Sequence, residues 1–81
     1  MTGEELRSTV EAIWREVLGA DVDDDTDFFD AGGHSFAALR IIAMLNNRHG
    51  APTPVKVLFD SPRLADFVAA LDRGPGPGPR V

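Results

Sequence analysis

Cysteine is absent from this chain of 81 residues. That excludes a disulfide framework and any thiolate metal site. It also leaves the chain no thiol of its own, so thioester chemistry would need a thiol brought in on an attached group. Histidine is scarce, and His34 and His49 with no further ligands make a poor zinc site. No apolar run approaches the roughly 20 residues that cross a bilayer. The opening Met1-Thr2-Gly3-Glu4-Glu5 is acidic and polar where a secretory leader is basic and then apolar. Basic residues are outnumbered, eight Lys and Arg against 13 Asp and Glu, for a net charge of −5. Nucleic-acid binders are usually basic, so that balance disfavours such a partner. The expectation is a small monomeric protein, soluble and cytoplasmic, with one modest core and no membrane contact.

The charge is unevenly spread. Residues 1–34 hold ten acids against Arg7 and Arg15, a net of −8. Residues 35–81 hold three acids against six bases, a net of +3. The acidic stretch reads as a solvated loop.

Apolar spacing predicts helices throughout and strands nowhere. The first runs from Gly3 to Leu18, with Thr2 and Glu5 as a capping box and Gly19 as its stop. Leu6, Val10, Ile13, Trp14, Val17 and Leu18 form its apolar face. Residues 20–34 form a long, aspartate-rich loop, which needs tethers; core packing of Phe28 and Phe29 would supply them. A second helix starts at or next to Ser35 and ends near Arg48-His49-Gly50. Ala38, Ile41, Ile42 and Leu45 make its core face. Phe36, Ala37, Leu39, Ala43 and Met44 spread apolar surface over its other sides, which suggests a face for a partner. Ala51-Pro52-Thr53-Pro54 is an extended connector, and Val55 to Asp60 a short helix or turn. Ser61-Pro62 has the form of an N-cap and first residue for a last helix, with Leu64, Phe67, Val68 and Leu71 inward. Gly74-Pro75-Gly76-Pro77-Gly78-Pro79 ends it. The domain thus spans 1–73, and 74–81 is a linker or disordered tail.

The most informative run is Asp27-Phe28-Phe29-Asp30-Ala31-Gly32-Gly33-His34-Ser35-Phe36. A serine opens a helix behind two glycines, which allow a sharp turn and a close approach. Its hydroxyl stands at the positive end of a helix dipole, beside free backbone N–H groups. Such a place suits a permanently attached phosphate.

This run resembles the attachment motif of the peptidyl carrier (thiolation) domains of nonribosomal peptide synthetases. Leu58-Phe59-Asp60-Ser61-Pro62 is similar to the family's run before its last helix, and the resemblance covers roughly residues 4–72. It implies a small four-helix bundle of the acyl/peptidyl carrier type, with a long first loop and a short third helix. It implies 4′-phosphopantetheine covalently on Ser35, with Gly32, Gly33 and His34 completing the motif. Ser35 has no evident base beside it. A phosphopantetheinyl transferase with Mg²⁺ and coenzyme A would therefore attach the arm. An adenylation enzyme would load the arm's thiol with an amino or aryl acid, and condensation or tailoring enzymes would take it up. The carrier itself would have no catalytic activity and hold no metal, and would serve secondary-metabolite (antibiotic) biosynthesis. Phe36, Leu39, Met44, Val55, Lys56 and Phe59 are the candidate docking surface, with core packing as the alternative, evenly balanced for Val55 and Phe59. The chain departs from the family pattern at Phe36 and Ala31, where the family more often has leucine. Acyl carriers more often show Asp before the serine and an acidic second helix, whereas residues 35–49 contain no Asp or Glu. A helix so close to Met1 suits a free-standing carrier, and the Gly-Pro tail a piece of a larger synthetase; the first is the expectation.

The same residues admit four other readings. Gly33-His34-Ser35-Phe36-Ala37 lacks the last glycine of a nucleophile elbow, and no strand precedes it. An EF-hand loop beginning at Asp21 fails at its sixth position, Thr26, and its twelfth, Gly32. An unmodified helical interaction module accounts for the apolar second helix but gives no reason for two glycines before the serine. An acyl carrier of the polyketide or fatty-acid type has the same chemistry with a different cargo.

Overall fold

A computed structural model describes residues 3–49 and 53–73. Thr2 of the capping box, Gly50, Ala51-Pro52 and the 74–81 tail lie outside the described residues. Four helices follow in order: α1 (Gly3–Leu18), α2 (Ser35–His49), α3 (Val55–Asp60) and α4 (Leu64–Asp72). The all-helical fold class, the long first loop and the short third helix are as the sequence indicates. The one extended pairing among the described residues is an isolated antiparallel bridge, Asp27 with Arg63.

Amphipathic spacing puts Leu6, Val10, Ile13 and Trp14 of α1 inside. Gly19 closes that helix in a left-handed conformation, φ 71°, and its N–H reaches the Arg15 carbonyl at 2.8 Å. Helix α1 lies against α2 and α4, and α3 touches α2 and α4. Trp14 is central: Phe28 meets its ring edge-on at 5.8 Å, and Phe67 lies at 6.0 Å. From α2, Ala38, Ile41, Ile42 and Leu45 complete the core together with Leu58, Leu64 and Leu71. Buried Thr53 donates its backbone N–H to Asn46 Oδ1 at 2.8 Å, tying the approach to α3 back onto α2.

Two expectations are corrected. Helix α4 does not start at Ser61-Pro62. Ser61 instead closes α3, its N–H on the Val57 carbonyl, and Arg63 is the extended residue before α4. The cause is the first loop. Phe28 N–H takes the Pro62 carbonyl at 2.7 Å, while the Thr26 and Asp24 carbonyls accept the N–H groups of Leu64 and Ala65 at 2.9 and 3.1 Å. Pairing with the loop holds residues 62–63 extended, and loop carbonyls do the capping that a serine side chain would have done. The second correction concerns the phenylalanine pair. Phe28 is fully buried, but Phe29 is 46% exposed and stacks on Phe59 of α3 at 6.0 Å.

Candidate functional site

The site is built on the turn that leads from the acidic loop into α2. Asp27 organises its start: Oδ1 accepts the N–H groups of Phe29 at 2.9 Å and Asp30 at 3.2 Å, and its carbonyl accepts that of Ala31 at 3.0 Å. This is local aspartate capping of a turn. The chain then reverses at Gly32, whose φ of 95° disfavours any residue with a side chain. Gly33 is needed for a different reason. Its N–H holds the Phe28 carbonyl at 2.9 Å, and a Cβ built on it would run into the Phe28 ring. Phe28 is itself wedged against Trp14, so the ring has nowhere to move. The turn is thereby seated on the core through one aromatic side chain.

His34 stands just outside α2 and supplies the carbonyl for the Ala38 N–H at 2.9 Å. Ser35 is the first helical residue, not the cap, and is exposed. The backbone N–H groups of Ser35, Phe36 and Ala37 have no partner among the described residues, as the geometry of a helix start dictates. The first turn of α2 carries no acidic side chain, whereas α1 has Glu4 and Glu5 there and α4 has Asp66. The positive end of α2 is thus left uncompensated by its own side chains. An exposed hydroxyl, three unpaired amides and no adjacent carboxylate on the helix fit a phosphodiester attached at Ser35 Oγ.

The candidate docking residues divide into two sets. Phe36 and Leu39 are 67% and 55% exposed, and Phe59 is 40% exposed. Lys56 also faces solvent, its ammonium on Asp60 at 2.6 Å. Met44 and Val55 are half-buried and pack against the core. Phe29 belongs with the exposed set by position, since it stacks on Phe59, although the sequence reading sent it inward. No signal in the sequence separates the two rings, which meet edge-on at 5.2 Å.

The aspartates of the loop serve the loop itself. Asp23 Oδ1 accepts the Asp25 N–H and the Thr26 hydroxyl, while Asp24 pairs with Arg7 at 2.6 Å. No cluster among the described residues is arranged to hold a metal ion, and none of the described helices is long and apolar enough to cross a membrane.

Known proteins share this sequence pattern and this fold. Residues 8–71 match the phosphopantetheine attachment site family. The nonribosomal peptide synthetase kk1B of Curvularia clavata is 43% identical over 75 residues, covering 88% of this chain and 1% of that protein. Surfactin synthase subunit 3 of Bacillus subtilis is 37% identical over 75 residues, covering 91% of this chain and 6% of that protein. The chain thus spans only a small fraction of these curated relatives. Among solved structures, BlmI of Streptomyces verticillus superposes with a TM-score of 0.82 at 28% identity, over 86% of each chain; it is described as a type-II acyl-carrier-protein involved in bleomycin biosynthesis. A chain in the complex of the phosphopantetheine transferase Sfp with coenzyme A and a peptidyl carrier protein superposes with a TM-score of 0.77 at 28% identity, over 83% of this chain and 88% of that one. The family carries phosphopantetheine covalently. The chain belongs to the phosphopantetheine attachment site family, as a carrier of the peptidyl type.

Proposed function

We propose that Ser35 carries the 4′-phosphopantetheine arm and that the domain, residues 1–73, presents an aminoacyl or acyl thioester to the enzymes of a nonribosomal peptide assembly line. The observation that carries this reading is the exposed Ser35 hydroxyl at the open, uncompensated start of α2, behind the Gly32-Gly33 turn. The bound arm supplies a terminal thiol that holds the cargo. The chain's own part is to present the hydroxyl, to leave three amides free beside the phosphate, and to keep the turn rigid on Phe28. Attachment would form the bond from Ser35 Oγ to the pantetheine-side phosphorus and break the phosphoanhydride of coenzyme A, releasing adenosine 3′,5′-bisphosphate, with the serine proton lost to the transferase. Ser35 has no base among the described contacts, so the domain acts as a carrier and leaves catalysis to its partners. Those partners are a phosphopantetheinyl transferase, an adenylation enzyme and condensation or tailoring enzymes. The setting is cytoplasmic.

Intact mass after incubation with coenzyme A, Mg²⁺ and Sfp tests the assignment. The wild-type chain gains one phosphopantetheinyl group and Ser35→Ala gains none. Equal gain in both would remove Ser35 from the role.

A further inference from the structure

Seven cations fall among the described residues, and six of them have an electrostatic use within the fold. Arg7 holds Asp24 and Glu11, Arg15 holds Glu11, Lys56 holds Asp60, and Arg63 reaches Asp25 and Asp66. Arg48 stands in the last turn of α2 and Arg73 at the C-cap of α4, where positive charge meets the negative end of a helix. Arg40 has none of these. It lies in the middle of α2, is exposed, and has no ion pair or hydrogen bond among the described residues. It shares its helix face with Phe36, one turn back, and with exposed Leu39 and Ala43, opposite the buried Ala38, Ile41, Ile42 and Leu45. No acid on α2 offsets it.

We infer that Arg40 is a specificity-determining residue. It pairs with a carboxylate on the enzyme that works at Ser35, and that enzyme's contact patch is otherwise apolar, to match Phe36 and Leu39. This rests on the proposed function, because an enzyme acting on the Ser35 hydroxyl must cover the first turns of α2. Five residues at 1.5 Å each place Arg40 about 8 Å along the axis from Ser35, inside such a footprint. Arg48 lies about 20 Å along, beyond a Debye length at ordinary ionic strength. The charge on this face turns away a basic partner surface and steers an acidic one.

Initial rates of arm transfer by Sfp with coenzyme A, measured against carrier concentration, test this on wild type, Arg40→Gln, Arg40→Glu and Arg48→Glu. Arg40→Glu raises KM for the carrier about tenfold at low salt with kcat unchanged, and Arg40→Gln raises it about threefold. The gap closes as salt rises, and Arg48→Glu stays within about twofold of wild type. Helical circular dichroism of each variant matches wild type, since both arginines are exposed. An unchanged KM for Arg40→Glu overturns the inference, as does an equal effect of Arg48→Glu, which would mean net charge alone. Either result leaves the carrier reading standing, because the arm still attaches. Failure of the wild type to gain the arm overturns both.

Discussion

Helices α2 and α4 begin in opposite ways. At α4 the first two N–H groups are taken by the carbonyls of Thr26 and Asp24, and Asp66 adds a negative charge to the first turn. At α2 the first three N–H groups have no partner among the described residues and the first turn has no acid. One loop makes both ends: residues 24–28 close α4, and residues 32–34 leave α2 open. A closed helix end is structure. An open one, rigidly seated and fronted by a hydroxyl, is a place to hold a phosphate.

The strongest way to break this contrast is at Gly33. A methyl group there meets the Phe28 ring, which Trp14 blocks from behind. Gly33→Ala should cost about 1–3 kcal/mol, the usual range for overpacking. It should also slow arm attachment by displacing Ser35. Denaturant unfolding and transferase rates check the two effects. Unchanged stability would mean that the turn is not seated on Phe28. A smaller effect is expected from the exposed ring pair. Phe29→Ala, Phe59→Ala and the double variant should show a coupling of about 0.5–1 kcal/mol in a double-mutant cycle, since the rings stack at 6.0 Å. Additive losses would show that the site loop and α3 are independent. The smallest effect belongs to Arg7. Its guanidinium is held above its ordinary pKa chiefly by the hydrogen bond to Asp24, and Asp24 also caps α4. Arg7→Gln should lower the melting temperature slightly at low salt and not at high salt, because the pair is exposed. Thermal melts at two ionic strengths decide it.

The parts of the fold written in local signals were legible. Helix α1 shows its apolar spacing and its Gly19 stop, and α2 its glycine pair and core stripe. The Gly-Gly-His-Ser motif and its serine were equally plain. What the sequence hid was tertiary. Ser61-Pro62 has the local form of a helix start, and it lost to carbonyls nearly forty residues earlier in the chain. The two rings of Phe28-Phe29 look alike in sequence; only the position of Trp14 decides which is buried. The need for Gly33 came from that same ring and not from the turn. Met44 has the apolar character of its exposed neighbours on α2, but helix geometry rolls it onto the edge of the core.

Amide hydrogen exchange, resolved by residue and followed before and after arm attachment, tests the central claim most directly. Before attachment, Ser35, Phe36 and Ala37 should exchange fast, and Leu64 and Ala65 slowly. After attachment the first three should slow and the other two stay as they were. Leu64 and Ala65 exchanging as fast as Ser35 to Ala37 in the unmodified protein, or no slowing at α2 once the arm is on, would contradict the account.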